Sequence, residues 1–223
     1  MKPILFNTNM VRATLSGQKT VTRRVAKPQL DFSPTDKPML IKQPYQPGDV
    51  LYVRETWAEN PYPDGGYMYR AFPGDGCTPE KEDAAMRSMR LKWRPSIHMP
   101  REAARIFLRV TGVRVERLQS SFTEPICPIL ELQAEGIDIG ETCQECIENY
   151  GEPCCVDTVD EDGTDISECG VLDEVRDDFS RLWNSTIKPA DRALYGWAAN
   201  PWVWVIRFER INKTVAVSPP KGH

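Results

Sequence analysis

Histidine is almost missing from this chain of 223 residues: His98 and His223 are the only two. A multi-histidine metal centre and a histidine-based nucleophilic triad both need more imidazoles than that, so neither fits, and His98 reads as a structural or surface side chain. Long apolar runs are missing as well. No stretch approaches the ~20 residues that a membrane-spanning helix needs. The opening Met1-Lys2-Pro3-Ile4-Leu5-Phe6 is too short and too Pro-broken for a signal peptide, so the expected location is the cytoplasm. Seven cysteines without an export signal are expected to be reduced or metal-bound thiols, not a disulfide framework. What remains is ordinary: 40% hydrophobic and 27% charged residues fit one soluble globular domain, or a domain carrying an insertion.

The net charge of -4 hides two opposite stretches. From Glu131 to Asp178 there are 17 Asp or Glu against Arg176 alone, a net of -16, which leaves +12 on the rest. A globule with such an excess of positive charge attracts phosphates, whereas an acidic block is usually a solvated surface segment. Between Arg87 and Arg117 nine Arg or Lys face only Glu102 and Glu116, with Trp93 and Phe107 interleaved. That mixture suits nucleic acid, and equally the outer face of a strand.

Periodicity gives mostly strands. After the apolar Ile4 to Phe6, Thr8 or Asn9 is placed to N-cap a helix over Met10 to Ser16, stopped by Gly17. Thr20 to Val25 alternates as a strand; a Pro-rich loop and the Gly48-Asp49 turn lead into a buried strand over Val50 to Trp57; Tyr67 to Phe72 is another short one. A short helix running through Met89 follows the Gly74 to Glu82 loop. Arg105 to Leu118 changes its inward phase at Gly112, as a bulge or bend does. Trp202 to Ile211 has apolar residues on both faces and reads as central. Ile129 to Gly136 and Val175 to Ile187 have helical spacing, with Phe179, Leu182 and Trp183 as the apolar stripe. The expected architecture is α+β, mainly β: a small closed or half-closed barrel with flanking helices, a single domain over 1–211, a long acidic cysteine-containing insertion near 138–175, and a flexible tail over 212–223.

Leu15-Ser16-Gly17-Gln18-Lys19-Thr20-Val21-Thr22-Arg23-Arg24 resembles the G-x-K-x-x-T-x-R signature of ASCH domains, which have a PUA-like β-barrel fold. Gly48 to Trp57, then Ala134-Glu135-Gly136 ending a helix, then the closing strand Trp202 to Phe208 follow in the order that family shows. The likeness is greatest to the longer ASCH proteins carried by bacteriophages, where Ile97-His98-Met99-Pro100 and Ala199-Asn200-Pro201-Trp202 also look familiar. It covers roughly three quarters of the chain, leaving out the acidic cysteine block and the tail. The resemblance implies binding of RNA or a modified nucleoside or nucleotide. Some members deacylate N4-acylated cytidine, with a proposed trio that maps here onto Lys19, Thr22 and Glu135. Ribonuclease members place a Tyr ahead of the signature Lys, and here the aligned helix has Ala13 and Thr14 in its place.

The chemistry is coherent in itself. A Thr hydroxyl attacks an amide carbonyl only if a base takes its proton, and a Lys does so only if its pKa falls from ~10.4 toward ~7 to 8. Arg23 and Arg24 supply like charge nearby, though strand alternation lets only one of them share a pocket with Lys19. Glu135 then holds the lysine or shuttles its proton. The same Lys-Thr-Arg group also suits phosphate binding without catalysis. Glu55, beside Arg54, is a second-tier binding pair: Glu55 pairs with Lys19 or an arginine, or faces solvent. No resident metal is assigned to the catalytic group. In the acidic block Cys143-x-x-Cys146 has zinc-knuckle spacing, and Cys154, Cys155 or Cys169 complete a structural zinc site on one reading; an ordinary acidic loop is the other. A phage assembly or host-interaction protein with a protein partner and no chemistry remains a third class.

Overall fold

The computed structural model describes residues 1–29, 43–61, 65–71, 79–120, 128–137 and 171–217. All seven cysteines lie outside them, and so does most of the expected insertion. The strands are β1 (Lys2–Leu5), β2 (Val21–Val25), β3 (Val50–Arg54), β4 (Trp57–Glu59), β5 (Tyr67–Tyr69), β6 (Phe107–Arg117) and β7 (Trp202–Ile211). The longer helices are α1 (Thr8–Leu15), α2 (Pro79–Ser88), α3 (Pro128–Ala134) and α4 (Val171–Thr186). The fold is α+β. Five strands form one mixed sheet in the order β1-β3-β6-β7-β2, and β4 and β5 form a separate hairpin. β7 is therefore internal, as its two apolar faces predict. Among the described residues no helix is long and apolar enough to cross a membrane.

The chain divides into two compact units, one of Met1–Thr20, Tyr45–Gly112 and Arg207–His223, the other of Val21–Pro44 and Val113–Ile206. The division within β6 falls at Gly112, the residue where the sequence changes phase. In the first unit β1 pairs parallel with β3, Ile4 opposite Val53, and β3 pairs antiparallel with β6, Leu51 opposite Leu108. The hairpin sets Trp57 opposite Tyr69. Trp57, Met99, Ala103, Ala104, Phe107 and Ala216 share one core cluster. Ala216 belongs to a helical turn, Lys213–Val217, inside the segment expected to be a tail. The second unit packs Val21, Leu118, Leu132, Val203 and Val205 against Val175, Phe179 and Trp183 of the α4 stripe.

Three local expectations shift. The N-cap of α1 is Asn7, one residue ahead of the pair expected, because its side-chain oxygen accepts the Met10 amide at 2.8 Å and leaves Thr8 free to begin the helix. Gly17 does end α1, at φ +85°. The strand expected over Val50 to Trp57 breaks after Arg54, since the Glu55 amide turns to the Met99 sulfur and Trp57 exchanges backbone bonds with Arg94. Tyr67 to Phe72 shortens to β5, after which the Arg70 amide donates to the Thr56 carbonyl.

Candidate functional site

Six polar or charged side chains are buried among the described residues: Thr14, Lys19, Thr22, Arg23, Glu55 and Glu135. Thr14 bonds back within its own helix, its hydroxyl donating to the Met10 carbonyl at 2.8 Å. The other five are all residues singled out from the sequence.

In the second unit the centre is Arg23 of β2, 3% exposed. One terminal nitrogen donates to Glu135 Oε1 at 2.9 Å; the other reaches Glu131 Oε2 at 2.7 Å and Glu116 Oε1 at 3.2 Å. The guanidinium carbon also lies 5.9 Å from the Phe179 ring centre. Glu131 and Glu135 come to one arginine because they stand four apart along the α3 segment and so share a face. The helix ends there for a readable reason. Gly136 takes φ +85°, its amide bonds to the Gln133 carbonyl at 2.8 Å, and the Ile137 amide reaches the Leu132 carbonyl at 3.1 Å. Leu132 and Ile137 are both buried in the same cluster, the contact that accompanies this type of helix end.

Arg114 of β6 closes the group from a second side. Its Nε donates to Glu116 at 2.7 Å and a terminal nitrogen to Glu131 at 2.8 and 3.0 Å. Burial by itself lowers the Arg23 pKa, but Glu135, Glu116 and Glu131 outweigh it and hold the guanidinium firmly protonated. Burial likewise works to raise Glu131, and Arg23 and Arg114 more than reverse it, so this carboxyl sits below the usual range. Arg24 is half-buried, with a 3.4 Å bond to the Arg23 carbonyl. Thr22, 1% exposed, has a hydroxyl with no hydrogen-bond partner among the described residues. An orphaned hydroxyl of this kind costs about 1–3 kcal/mol.

Lys19 belongs to the first unit. It is 2% exposed, its amide bonds to the Ala13 carbonyl at 2.8 Å, and its ammonium lies 5.7 Å from the centre of the Phe6 ring. In the same unit Glu55, 1% exposed, receives a bidentate pair from Arg105, Nε and a terminal nitrogen each at 2.9 Å. Arg105 also donates to the Ala71 carbonyl at 2.7 Å and stacks 4.1 Å from the centre of Tyr69, whose hydroxyl donates to the Ala103 carbonyl. Burial pushes the Glu55 carboxyl up, with Arg105 offsetting only part of the rise. Of the alternatives weighed for Glu55, the arginine partner holds. Arg54 is a clasp: its Nε donates to the Met99 carbonyl at 3.0 Å and a terminal nitrogen to the Ile97 carbonyl.

The structure thus joins Arg23 to Glu135 and Glu55 to Arg105. It places Thr22, Arg23, Arg24 and Glu135 in the second unit, and Lys19, Arg54 and Glu55 in the first. Arg105, Arg114, Glu116 and Glu131 were missed by sequence reasoning. Two signals for them existed: Arg114 and Glu116 alternate on one face of a strand, and Glu131 precedes Glu135 by one helical turn. No group of side chains suited to a metal occurs among the described residues. No family model, no curated protein and no solved structure matches the chain.

Proposed function

We propose that the chain is an ASCH-type protein, with the PUA-like barrel fold of that family, that binds RNA or a modified nucleotide in the cytoplasm, and that its reaction is deacylation of an N4-acylated cytidine. The observation that carries this reading is the burial of Lys19, Thr22 and Glu135, the whole of the trio that the resemblance implies, among the six buried polar side chains of the described residues. Charged groups are kept out of water only where a partner or a chemical task offsets the cost. The mixed five-stranded sheet with flanking helices supports the fold part of the proposal.

In this reading a base takes the Thr22 proton, Thr22 Oγ1 bonds the acyl carbon, the C–N4 bond breaks with the proton passing to the amine, and water then releases the acid; the part of the base falls to Lys19 by the resemblance alone. Two features favour it. The Thr22 hydroxyl has no hydrogen-bond partner among the described residues to give up, and the burial of Lys19 keeps its side-chain nitrogen out of bulk water. The test is acetate release from N4-acetylcytidine by purified protein: Lys19→Ala and Thr22→Ala each abolish it while the far-UV spectrum and thermal midpoint persist. Acetate release that survives Thr22→Ala rejects the mechanism.

A second reading, binding without turnover, draws on the Arg23–Glu135 bond: a carboxylate that anchors a guanidinium serves to shape a site. It expects salt-sensitive RNA retention that Thr22→Ala leaves intact.

A further inference from the structure

From Ala84 to Arg101 the chain carries Arg87, Arg90, Lys92, Arg94 and Arg101 and no acid. Arg94 is engaged, paired with Glu59 at 2.9 Å and lying 5.1 Å from the centre of Trp57. The other four are exposed and have no ion pair among the described residues. The nearest acid before the stretch, Asp83, is occupied by Arg70 at 2.9 Å and by the Trp93 indole N–H at 3.1 Å.

Arg90 adds an independent observation. It adopts φ +55° just past α2, with its amide bonded to the Arg87 carbonyl at 3.0 Å and the Leu91 amide bonded to the Met86 carbonyl at 2.9 Å. Glycine is the ordinary occupant of that left-handed position, because a Cβ crowds the following carbonyl. A cation beside a helix C-terminus gains a little from the dipole, but any earlier cation in the last turn gains it without the backbone penalty, and Arg87 already stands there. Such strain persists where a side chain has work to do. The stretch is also held in place. Arg94 exchanges both backbone bonds with Trp57, at 2.7 and 3.2 Å, and Arg54 fastens the carbonyls of Ile97 and Met99.

We infer that Arg87, Arg90, Lys92 and Arg101 form the strip of the first unit that grips the phosphate backbone of a single-stranded nucleic acid. This rests on the RNA reading above and names the surface that reading leaves open: Arg23 and Arg54 are committed to internal partners, and this strip is not.

The test is fluorescence anisotropy of a short labelled oligouridylate with wild type, Arg87→Ala/Lys92→Ala, Arg90→Gly, and Arg192→Ala as an exposed cation of the second unit. Each phosphate contact on a single strand contributes about 0.7 to the salt slope, so four contacts make wild-type affinity fall about 50-fold between roughly 50 and 200 mM salt. With two contacts removed the fall shrinks to about 7-fold, and with one removed to about 20-fold. Arg90→Gly weakens binding while its thermal midpoint is no lower than wild type, a combination that a structural arginine does not give. Unchanged slopes in the strip variants overturn the strip and leave RNA binding standing. An equal loss in Arg192→Ala reduces the effect to overall charge and overturns it too. Wild type that fails to retain the oligonucleotide at low salt also overturns the strip, and acetate release from N4-acetylcytidine then decides whether the nucleotide reading falls with it.

Discussion

Thr22 and Arg23 are neighbours on β2, both buried, with opposite hydrogen-bond accounts. The Thr22 hydroxyl has no partner among the described residues, whereas three carboxylates converge on Arg23. Thr22→Val removes a polar atom that receives nothing in return, so urea unfolding is expected to show a gain of about 1 kcal/mol; a loss of stability means that the hydroxyl is bonded after all. Arg23→Met is expected to cost about 3 kcal/mol, because Glu135 is then left buried without the guanidinium it faces. Adding Glu135→Leu recovers part of that loss if the charge is the cause, and none of it if Arg23 serves only as packing against Phe179. At this scale the signature was legible in part: its Lys19 and Thr22 end up buried, while its Arg24 is half-buried and the neighbouring Arg23 takes the interior. The partners of Arg23 were not legible, since Glu116 and Glu131 are distant in sequence and only pairing brings them to it.

Elements end where local chemistry dictates. Gly136 stops α3 in a left-handed conformation, so Gly136→Ala is expected to destabilise the protein by about 1 kcal/mol in urea unfolding and to disturb the Glu135–Arg23 bond. An unchanged midpoint removes the assigned role of that turn. Asn7→Ala is expected to cost about 1 kcal/mol, as it frees the Met10 amide. The ends of α1 and α3 and the internal strand β7 were readable because period and punctuation are local properties. The break after Arg54 was not. Apolar alternation continues through to Trp57, and it is the long-range contacts of the Glu55 carboxylate with Arg105 and of its amide with Met99 that interrupt the strand.

Across the whole molecule two glutamates, one in each unit, respond to acid in opposite senses. Glu131, in the second, is held below its ordinary pKa by arginines that outweigh burial. Its contribution to stability is present above about pH 4.3 and is lost as pH falls through the lower folded value. Glu55, in the first, is raised by burial. Its contribution is complete below about pH 4.3 and fades as pH rises through the higher folded value. Asp49, at the turn into β3, is lowered as Glu131 is, since Lys2 outweighs its burial, so β1 and β3 share the loss on acidification. Hydrogen exchange, corrected for intrinsic rates, is therefore expected to show α3 and α4 losing protection on acidification before the β4–β5 hairpin. The reverse order contradicts both assignments. The total charge of -4 conveys none of this, because pKa direction depends on which groups are buried together.

The order of residues alone determined where α1 and α3 stop, which strand lies inside the sheet, and which side chains are chemically unusual, because propensity, capping and periodicity act over a few neighbours. Only the tertiary structure decided that Arg23 is bound to three glutamates, that Glu55 belongs to Arg105, that Arg54 is a clasp, and that Arg87, Arg90, Lys92 and Arg101 keep their charges unpaired among the described residues. Electrostatic partners are chosen by distance and dielectric, and neither exists until chain segments as much as 112 residues apart have been folded against each other.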